Sequence, residues 1–223
     1  MRLPSVSGTG KLLGRQKLIG LGLGIGLIAI GAYGLLQWYT TTHRHETPAI
    51  VAPASPSADT NVDETPVKEE SWRVPADMPR KIEISAISLE GMIQQVGVDR
   101  EGAVGVPSNV NLAGWYTNSV KPGEKGVSLI DGHVSGRYSD GIFKNIHKLA
   151  ENDEIKMEYG DGSRRSFIVV DVRSYSPQEA ASQQYEQHPN IEKQLTLITC
   201  GGAFDNASDS YSQRVIVRAT LKS

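Results

Sequence analysis

The sequence predicts a mostly β domain, a closed or nearly closed barrel with short helices, that follows a transmembrane helix and a disordered linker. Three observations predict this organisation: an uncharged apolar run near the N-terminus, a proline- and acid-rich stretch behind it, and many short β-branched segments punctuated by glycine. Short strands at close spacing are typical of a barrel or sandwich and not of a parallel α/β sheet.

The composition excludes several broad classes of protein. The chain has 223 residues, of which 39% are hydrophobic and 22% are charged. These values are typical of a globular protein and exclude collagen-like, wholly disordered and many-spanning membrane chains. The net charge of −2 gives no reason to expect a nucleic acid partner. The single cysteine, Cys200, excludes an intramolecular disulfide and a cysteine-rich zinc site.

The N-terminal region has the charge pattern of a membrane anchor. Residues 1–17 contain four basic residues and no acidic residue, and residues 18–36 contain no charge. A helix of that length approaches the roughly 30 Å thickness of the hydrocarbon core, and Trp38 and Tyr39 then place aromatic rings at the interface. We predict a basic cytoplasmic tail over 1–17 and a retained single-pass anchor over 18–39, with the rest of the chain outside the cell membrane.

Residues 40–77 have the composition of a linker. Proline and small polar or acidic residues dominate, and large apolar side chains are few. Such a stretch buries too little apolar surface to offset its ordering entropy. The sequence therefore predicts a disordered extracytoplasmic linker in front of a folded domain at 78–223.

The folded domain consists largely of strand candidates. Runs of β-branched and other apolar residues are bounded by glycine or polar turn residues, and Asp161-Gly162 is a favourable hairpin turn between two of them. Helical patterns are few, one near 143–150 and one over 177–187. The strand candidates are 81–85, 91–98, 127–131, 154–159, 166–172, 195–199 and 214–220.

Three chemically reactive side chains fall near the ends of strand candidates. Cys200 closes an apolar strand in front of a Gly-Gly pair, and His133 follows another strand in a glycine-containing loop. Arg214 opens the last strand. If these ends meet at one rim of the barrel, then a thiol, an imidazole and a guanidinium are available together for acyl transfer.

Simpler interpretations of each residue remain open on spacing alone. A lone cysteine on an apolar strand is usually a small buried hydrophobe, and a histidine in a glycine loop is usually solvated or part of a turn. Arg214 has a rival in Arg218, which has the same strand parity and therefore faces the same side of the sheet.

The residues around Cys200 resemble those of a known family. Thr196-Leu197-Ile198-Thr199-Cys200 resembles the TLxTC motif of the sortases, the membrane-anchored cysteine transpeptidases of Gram-positive-type bacteria. The order histidine, cysteine, arginine along the chain matches the family, and Asp131-Gly132-His133-Val134 resembles the end of its histidine strand. The flanking segments look most like the class E/F branch. The resemblance covers 79–221, essentially the whole folded part.

The resemblance implies an eight-stranded sortase-type β-barrel in which Cys200 is the nucleophile, His133 the general acid/base and Arg214 the stabiliser of the substrate backbone or oxyanion. It also implies cleavage of an LPxTG-like sorting signal through a Cys thioester, with transfer of the acyl group to an amine. The implied partners are surface proteins that bear the signal and an amine acceptor such as cell-wall peptide. The residues expected to line the substrate groove are Val134, Thr199 and Ala203.

No metal and no cofactor are expected, because the acidic calcium pocket of some sortases has no residue-by-residue match here. Cysteine peptidases of the papain or NlpC type place the cysteine before the histidine, and L,D-transpeptidases contain a Ser-His-Gly-Cys run that is absent. The alternative that remains is a tethered extracytoplasmic binding or assembly module, without enzymatic activity, that has a sortase-like barrel.

Overall fold

Eight strands form a closed barrel in the spatial order β1-β2-β3-β4-β7-β8-β6-β5, and β5 pairs with β1 to close it. The computed structural model describes residues 62–98 and 104–223. The strands are β1 Pro79–Ile84, β2 Leu89–Val96, β3 Ala113–Tyr116, β4 Gly126–Gly132, β5 Glu154–Tyr159, β6 Arg164–Tyr175, β7 Lys193–Asp205 and β8 Ser210–Leu221. The prediction of a mostly β, eight-stranded barrel is confirmed.

The predicted cytoplasmic tail, the predicted anchor and the first part of the predicted linker, up to residue 61, lie outside the described residues. Across 62–98 and 104–223 there is no helix with the length and apolar content that a membrane span needs.

The interior of the barrel is filled by alternate apolar residues of the strands. In β5, for example, Ile155, Met157 and Tyr159 are buried while the residues between them are half-buried, as the two-residue period of a strand requires. The same cluster includes residues from every strand of the barrel and from the 3-10 turn Ile146–Lys148. This turn is all that forms of the helix predicted near 143–150.

Strand β7 departs from that alternation because both of its faces are covered. Seven consecutive residues, from Gln194 to Cys200, are buried. Leu195 and Leu197 belong to the barrel interior, whereas Ile198 belongs to a second apolar cluster outside the barrel. We call this the outer cluster; its fully buried members are Leu129, Ala180, Ile198 and Ile216, and Tyr116, Tyr175 and Tyr185 pack against it.

One α-helix, α1 (Pro177–Gln183), lies between β6 and β7 and covers the outer cluster through Ala180. A capping box begins it: the Ser176 side chain accepts from the amide of Glu179, and the Glu179 carboxylate accepts from the amide of Ser176. The helix is shorter than predicted, because the chain after Gln183 turns away toward β7.

Residues 62–77, which the composition assigned to the linker, contact the barrel in the structure. Glu69–Ser71 form a 3-10 turn, and the Trp72 indole N–H donates a hydrogen bond to the carbonyl of Ile93, 3.1 Å away. Asp63 forms an isolated parallel bridge with Asn109. These contacts are mostly hydrogen bonds, which hydrophobic patterning does not reveal.

Candidate active site

The barrel topology brings Cys200, His133 and Arg214 to one level of three neighbouring strands. Strands β4 and β7 are parallel, and their register places Asp131 opposite Ile198; His133 and Cys200 each follow two residues later. Strands β7 and β8 are antiparallel, and Cys200 pairs directly with Arg214. Residues that are separated by 67 and 14 positions in the sequence therefore lie on adjacent strands.

The three side chains lie on the outer face of the barrel. Leu129, Ile198 and Ile216 belong to the outer cluster under α1. Because strand parity repeats every two residues, Cys200 shares the face of Ile198, and Arg214 shares the face of Ile216. The candidate site thus continues the outer cluster along the same sheet surface.

Strand β7 does not end at Cys200, contrary to expectation. It continues to Asp205 and forms a hairpin with β8, with a register shift between Gly201 and Phe204. Gly202 adopts φ +75°, and an added β-carbon there would overlap the Ser212 hydroxyl. The Gly-Gly pair therefore makes a bulge beside the thiol instead of a strand end.

The Cys200 thiol is nearly buried, with 8% of the residue exposed. Burial raises the pKa of this thiol above its ordinary value. The positive charge of Arg214 acts in the opposite direction and lowers it, while the carboxyl of Asp131 raises it further. The thiolate is therefore a minority form at neutral pH, and Arg214 is the group that favours it.

The His133 ring is buried and held by a backbone carbonyl. Its Nε2 lies 2.9 Å from the carbonyl oxygen of Pro107. A carbonyl oxygen only accepts, so Nε2 carries the hydrogen in this contact. In the neutral ring the Nδ1 atom is then the basic nitrogen, available for proton transfer.

Arg214 is buried and keeps one nitrogen free among the described residues. Its Nη1 donates to the carbonyls of Tyr211 (3.0 Å) and Gln213 (2.9 Å). Its Nη2 is buried and has no hydrogen-bond partner within 62–98 and 104–223. A guanidinium always carries its charge, so this nitrogen is a preorganised donor for an oxygen that develops negative charge.

Arg218, the rival on the same face, is occupied. Its Nη1 donates to Asp171 Oδ2 (2.9 Å) and to the Tyr175 hydroxyl (3.2 Å). Its Nη2 donates to the carbonyl of Gln183 (2.9 Å) and to the Gln183 side chain (3.0 Å). Arg218 thereby ties the C-terminal end of α1 to β6 and β8, and only Arg214 pairs with Cys200.

The three expected groove residues occupy different surroundings. Thr199 is buried, pairs with Val215 of the barrel interior, and donates from its hydroxyl to the carbonyl of Gly132, 2.7 Å away. It thus faces away from the side of the sheet that carries the thiol and joins β7 to β4. Val134 is half-buried directly after His133, and Ala203 is exposed in the bulge, where its amide donates to the Ser212 hydroxyl.

Sequence reasoning missed Asp131, which lies two residues before His133 on the same face of β4. The residue is buried, and its Oδ1 has no hydrogen-bond partner among the described residues. It packs against Gly114, where an added β-carbon would overlap that oxygen and would also meet the Pro107 ring. Burial raises the pKa of the Asp131 carboxyl well above its ordinary value. An acidic residue inside an apolar strand was the available signal.

Two loops frame the candidate site. The Ser135 hydroxyl lies 2.7 Å from the Tyr211 hydroxyl, which connects the chain after His133 to the β7–β8 hairpin. In that hairpin the rings of Tyr211 and Phe204 meet edge to face, with centroids 5.1 Å apart. The described residues contain no group of three or more His, Cys, Asp or Glu side chains arranged to hold a metal ion.

The arrangement supplies the parts of acyl transfer: a thiol, an imidazole with a basic nitrogen, and a guanidinium donor beside the thiol. A nucleophile and an acid/base supplied from different strands are recognised by geometry, whatever their order in the chain.

Comparison with known proteins agrees with this fold. A family model described as the sortase domain matches residues 82–222. The lid mutant of sortase A from Corynebacterium diphtheriae is 23% identical over 68% of this chain and 73% of its own, with a TM-score of 0.51. Sortase C1 of GBS pilus island 1 is 18% identical over 78% of this chain and 75% of its own, with a TM-score of 0.50.

A second structure of sortase A from Corynebacterium diphtheriae is 23% identical over 68% of this chain, with a TM-score of 0.49, and the match spans 63% of that protein's length. At these identities the solved structures support the fold alone. No curated protein matches the chain by sequence.

Proposed function

Because the chain belongs to the sortase family of cysteine transpeptidases, we propose that it is a membrane-anchored sortase that cleaves an LPxTG-like sorting signal and transfers the acyl group to an amine. The family acts on proteins that bear sorting signals and on amine acceptors.

In the proposed reaction the Cys200 thiolate attacks the carbonyl carbon of the threonyl–glycine bond. The tetrahedral intermediate collapses to a thioester, and His133 gives its proton to the leaving amine. The incoming amine then loses a proton to His133 and attacks the thioester carbonyl, which releases the thiolate. The Nη2 of Arg214 stabilises the oxyanion in both steps.

The observation that carries this proposal is the direct cross-strand pairing of Cys200 with Arg214. A charged guanidinium, itself buried, lies beside the one thiol of the chain, and its Nη2 has no hydrogen-bond partner in the described part of the chain. A thiol that served only as packing would gain nothing from such a neighbour, since a buried charge is costly unless it is used or paired.

Because the pKa of the Cys200 thiol is raised, we expect a low turnover rate. Only a small fraction of molecules carries the thiolate near neutral pH, so the rate should rise as pH increases toward the thiol pKa.

The test uses the full-length chain in detergent, a small library of LPxTG-like peptides and several amines. We expect an amine-ligated product from at least one peptide, no product from Cys200→Ala, and unchanged turnover for Lys125→Ala, whose exposed side chain pairs with Glu192. Products that persist in Cys200→Ala would exclude the proposed nucleophile.

The second candidate function is a tethered binding module with an inactive barrel. The burial of the thiol favours it, because buried cysteines are usually inert. A thiol-directed analogue of the sorting signal separates the two: the enzyme forms an adduct at Cys200, whereas a binding module retains a free thiol although its fold is intact.

The anchor and the location belong to the same proposal. Residues 18–39 would hold the chain in the cell membrane with residues 1–17 in the cytoplasm and the barrel outside, where surface proteins and cell-wall peptides are found. Protease added to intact cells should digest the barrel and leave the N-terminal tail protected; the reverse pattern would exclude this orientation.

A further inference from the structure

Residues 63–65, which we call the strap, precede the barrel and contact two segments that hold His133. The first is the histidine loop, residues 134–141, directly after His133. The second is the proline segment, residues 107–110, whose Pro107 carbonyl accepts the hydrogen bond from the imidazole. His133 is therefore fixed through its backbone on one side and through its ring on the other.

The strap binds the histidine loop through the side chain of Glu64. The carboxylate accepts from the amides of Arg137 (2.7 Å) and Tyr138 (3.1 Å) and from the hydroxyl of Ser139 (2.7 Å). These hydrogen bonds lower the pKa of the Glu64 carboxyl, and the bond from Ser139 has the largest effect. Glu64 therefore stays ionised. Gly136 lies against this carboxylate, which an added β-carbon would displace.

The histidine loop transmits this contact to His133 over a short distance. The loop closes on itself through the amide of Gly141, which donates to the carbonyl of Val134. The amide of Phe143, two residues after Gly141, donates to the carbonyl of His133 itself, 3.0 Å away. A β-carbon at Gly141 would overlap that same carbonyl, so the loop packs directly onto His133.

The strap binds the proline segment through its backbone. The amide of Asp63 donates to the carbonyl of Ser108 (3.2 Å), and the amide of Val110 donates to the carbonyl of Asp63 (2.9 Å). The Asn109 side chain, which is buried, donates to the carbonyl of Thr65 (2.9 Å). Ser108 directly follows Pro107, so the acceptor of the His133 ring is held one residue from the strap.

We propose that Glu64 is a positioning residue for the acyl-transfer reaction, acting through the histidine loop to keep the His133 imidazole in its productive orientation. Three consecutive residues of the histidine loop donate hydrogen bonds to the Glu64 carboxylate. The backbone next to Glu64 bonds to the proline segment, whose Pro107 carbonyl holds the His133 ring. A displaced imidazole would lose proton transfer while substrate binding would be retained.

The first experiment is steady-state kinetics of the full-length chain in detergent. For Glu64→Ala we expect kcat to fall about tenfold or more with KM within about twofold, because only the reacting geometry is disturbed. Glu64→Gln retains a carbonyl oxygen for the two amides, and its NH2 group can donate to the Ser139 hydroxyl oxygen, so it should recover most of kcat. Glu70→Ala changes an exposed glutamate in the nearby 3-10 turn Glu69–Ser71; it is the matched control and should behave as wild type.

The second readout is the imidazole NMR signal of His133 in chain labelled with 15N-histidine. The Nε2–H that donates to Pro107 should be protected from exchange in wild type, Glu64→Gln and Glu70→Ala, and should broaden or disappear in Glu64→Ala. Wild-type kcat together with an unchanged His133 signal in Glu64→Ala would overturn the inference, as would a loss of kcat with the signal intact.

If Glu64→Ala does not fold, Ser139→Ala decides the question, since it removes only one donor. An intermediate fall in kcat with a weakened His133 signal supports the inference; wild-type values of both overturn it. The inference rests on the proposed function for its kinetics alone. If the wild-type chain transfers no acyl group, the proposed function fails, while the NMR signal still tests the strap.

Discussion

Cys200 lies directly opposite Arg214 in the antiparallel pairing of β7 and β8, and the guanidinium lowers the pKa of a thiol that burial raises. The two effects oppose each other at one atom. Arg214 also retains a buried nitrogen without a partner among the described residues. One side chain is therefore in position both to favour the thiolate and to bind the oxyanion that the thiolate creates.

Replacing Arg214 by alanine should raise the pKa of the Cys200 thiol, because the charge that lowers it is removed. Acyl transfer should fall by about a hundredfold or more, the usual effect of losing an oxyanion donor. The pH dependence of alkylation by iodoacetamide measures the thiol, and should move to higher pH. Arg214→Lys keeps the charge, so its alkylation profile should stay near that of wild type while acyl transfer recovers only in part. An Arg214→Ala protein with the wild-type profile would contradict this role.

Replacing Asp131 by asparagine should lower the pKa of the Cys200 thiol, since the carboxyl is one of the groups that raise it. The alkylation profile should therefore move to lower pH, opposite to that of Arg214→Ala. Asp209→Asn, an exposed carboxylate on the β7–β8 turn, is the control and should leave the profile unchanged. A profile that moves to higher pH in Asp131→Asn would contradict the assigned sign.

The same Asp131→Asn substitution should change the pH dependence of stability. The folded state raises the pKa of Asp131, so the folded chain binds its proton more tightly than the unfolded chain does. Stability from this group is fully present below the unfolded pKa of about 3.9 and is lost as pH rises through the folded value. The free energy of unfolding in urea should thus rise in Asp131→Asn at pH 7, and the gain should shrink toward about pH 4. A gain that is independent of pH would contradict this.

Arg218 should contribute to stability where Arg214 contributes to chemistry. Arg218→Met removes the buried partner of Asp171, which is 15% exposed and keeps an ion pair with the exposed Arg173. Because Arg173 still compensates the carboxylate, we expect a cost below the roughly 3 kcal/mol of a fully broken buried pair. We expect a lower urea midpoint with an unchanged alkylation profile of Cys200. A stable Arg218→Met protein that has lost acyl transfer would instead give Arg218 a direct part in the reaction.

Thr199→Val should loosen the connection between β4 and β7. It removes the hydroxyl that donates to the Gly132 carbonyl, one residue before His133, at a cost of about 1 kcal/mol in unfolding free energy. Thr199→Ser keeps the donor and should retain more of that stability. A Thr199→Val protein with the wild-type urea midpoint would contradict a stabilising role for this hydrogen bond.

Hydrophobic patterning predicted most of the strands, because their runs of β-branched residues are long and bounded by turns. It predicted neither β3, which has four residues including a glycine, nor the extension of β7 and β8 beyond Gly201-Gly202. A glycine pair after an apolar run predicts the end of a strand. Here a positive φ at Gly202 makes a bulge within a continuing hairpin instead.

The candidate site was predicted residue by residue only through the resemblance to a family. From parity alone Arg214 and Arg218 are equivalent, since both face the outer cluster. The two arginines differ in their hydrogen bonds: the Arg218 guanidinium donates to Asp171, Tyr175 and Gln183, which belong to other elements of the fold. The strap was missed for a related reason: its contacts are backbone and carboxylate hydrogen bonds, and its composition is that of a linker.

The most direct test of the central claim is the intact mass of the chain after incubation with LPxTG-like peptides in the absence of an added amine. The account predicts a wild-type species heavier by the peptide fragment that ends in threonine, released by hydroxylamine, and absent from Cys200→Ala. No adduct with any peptide, or the same adduct on Cys200→Ala, would contradict it.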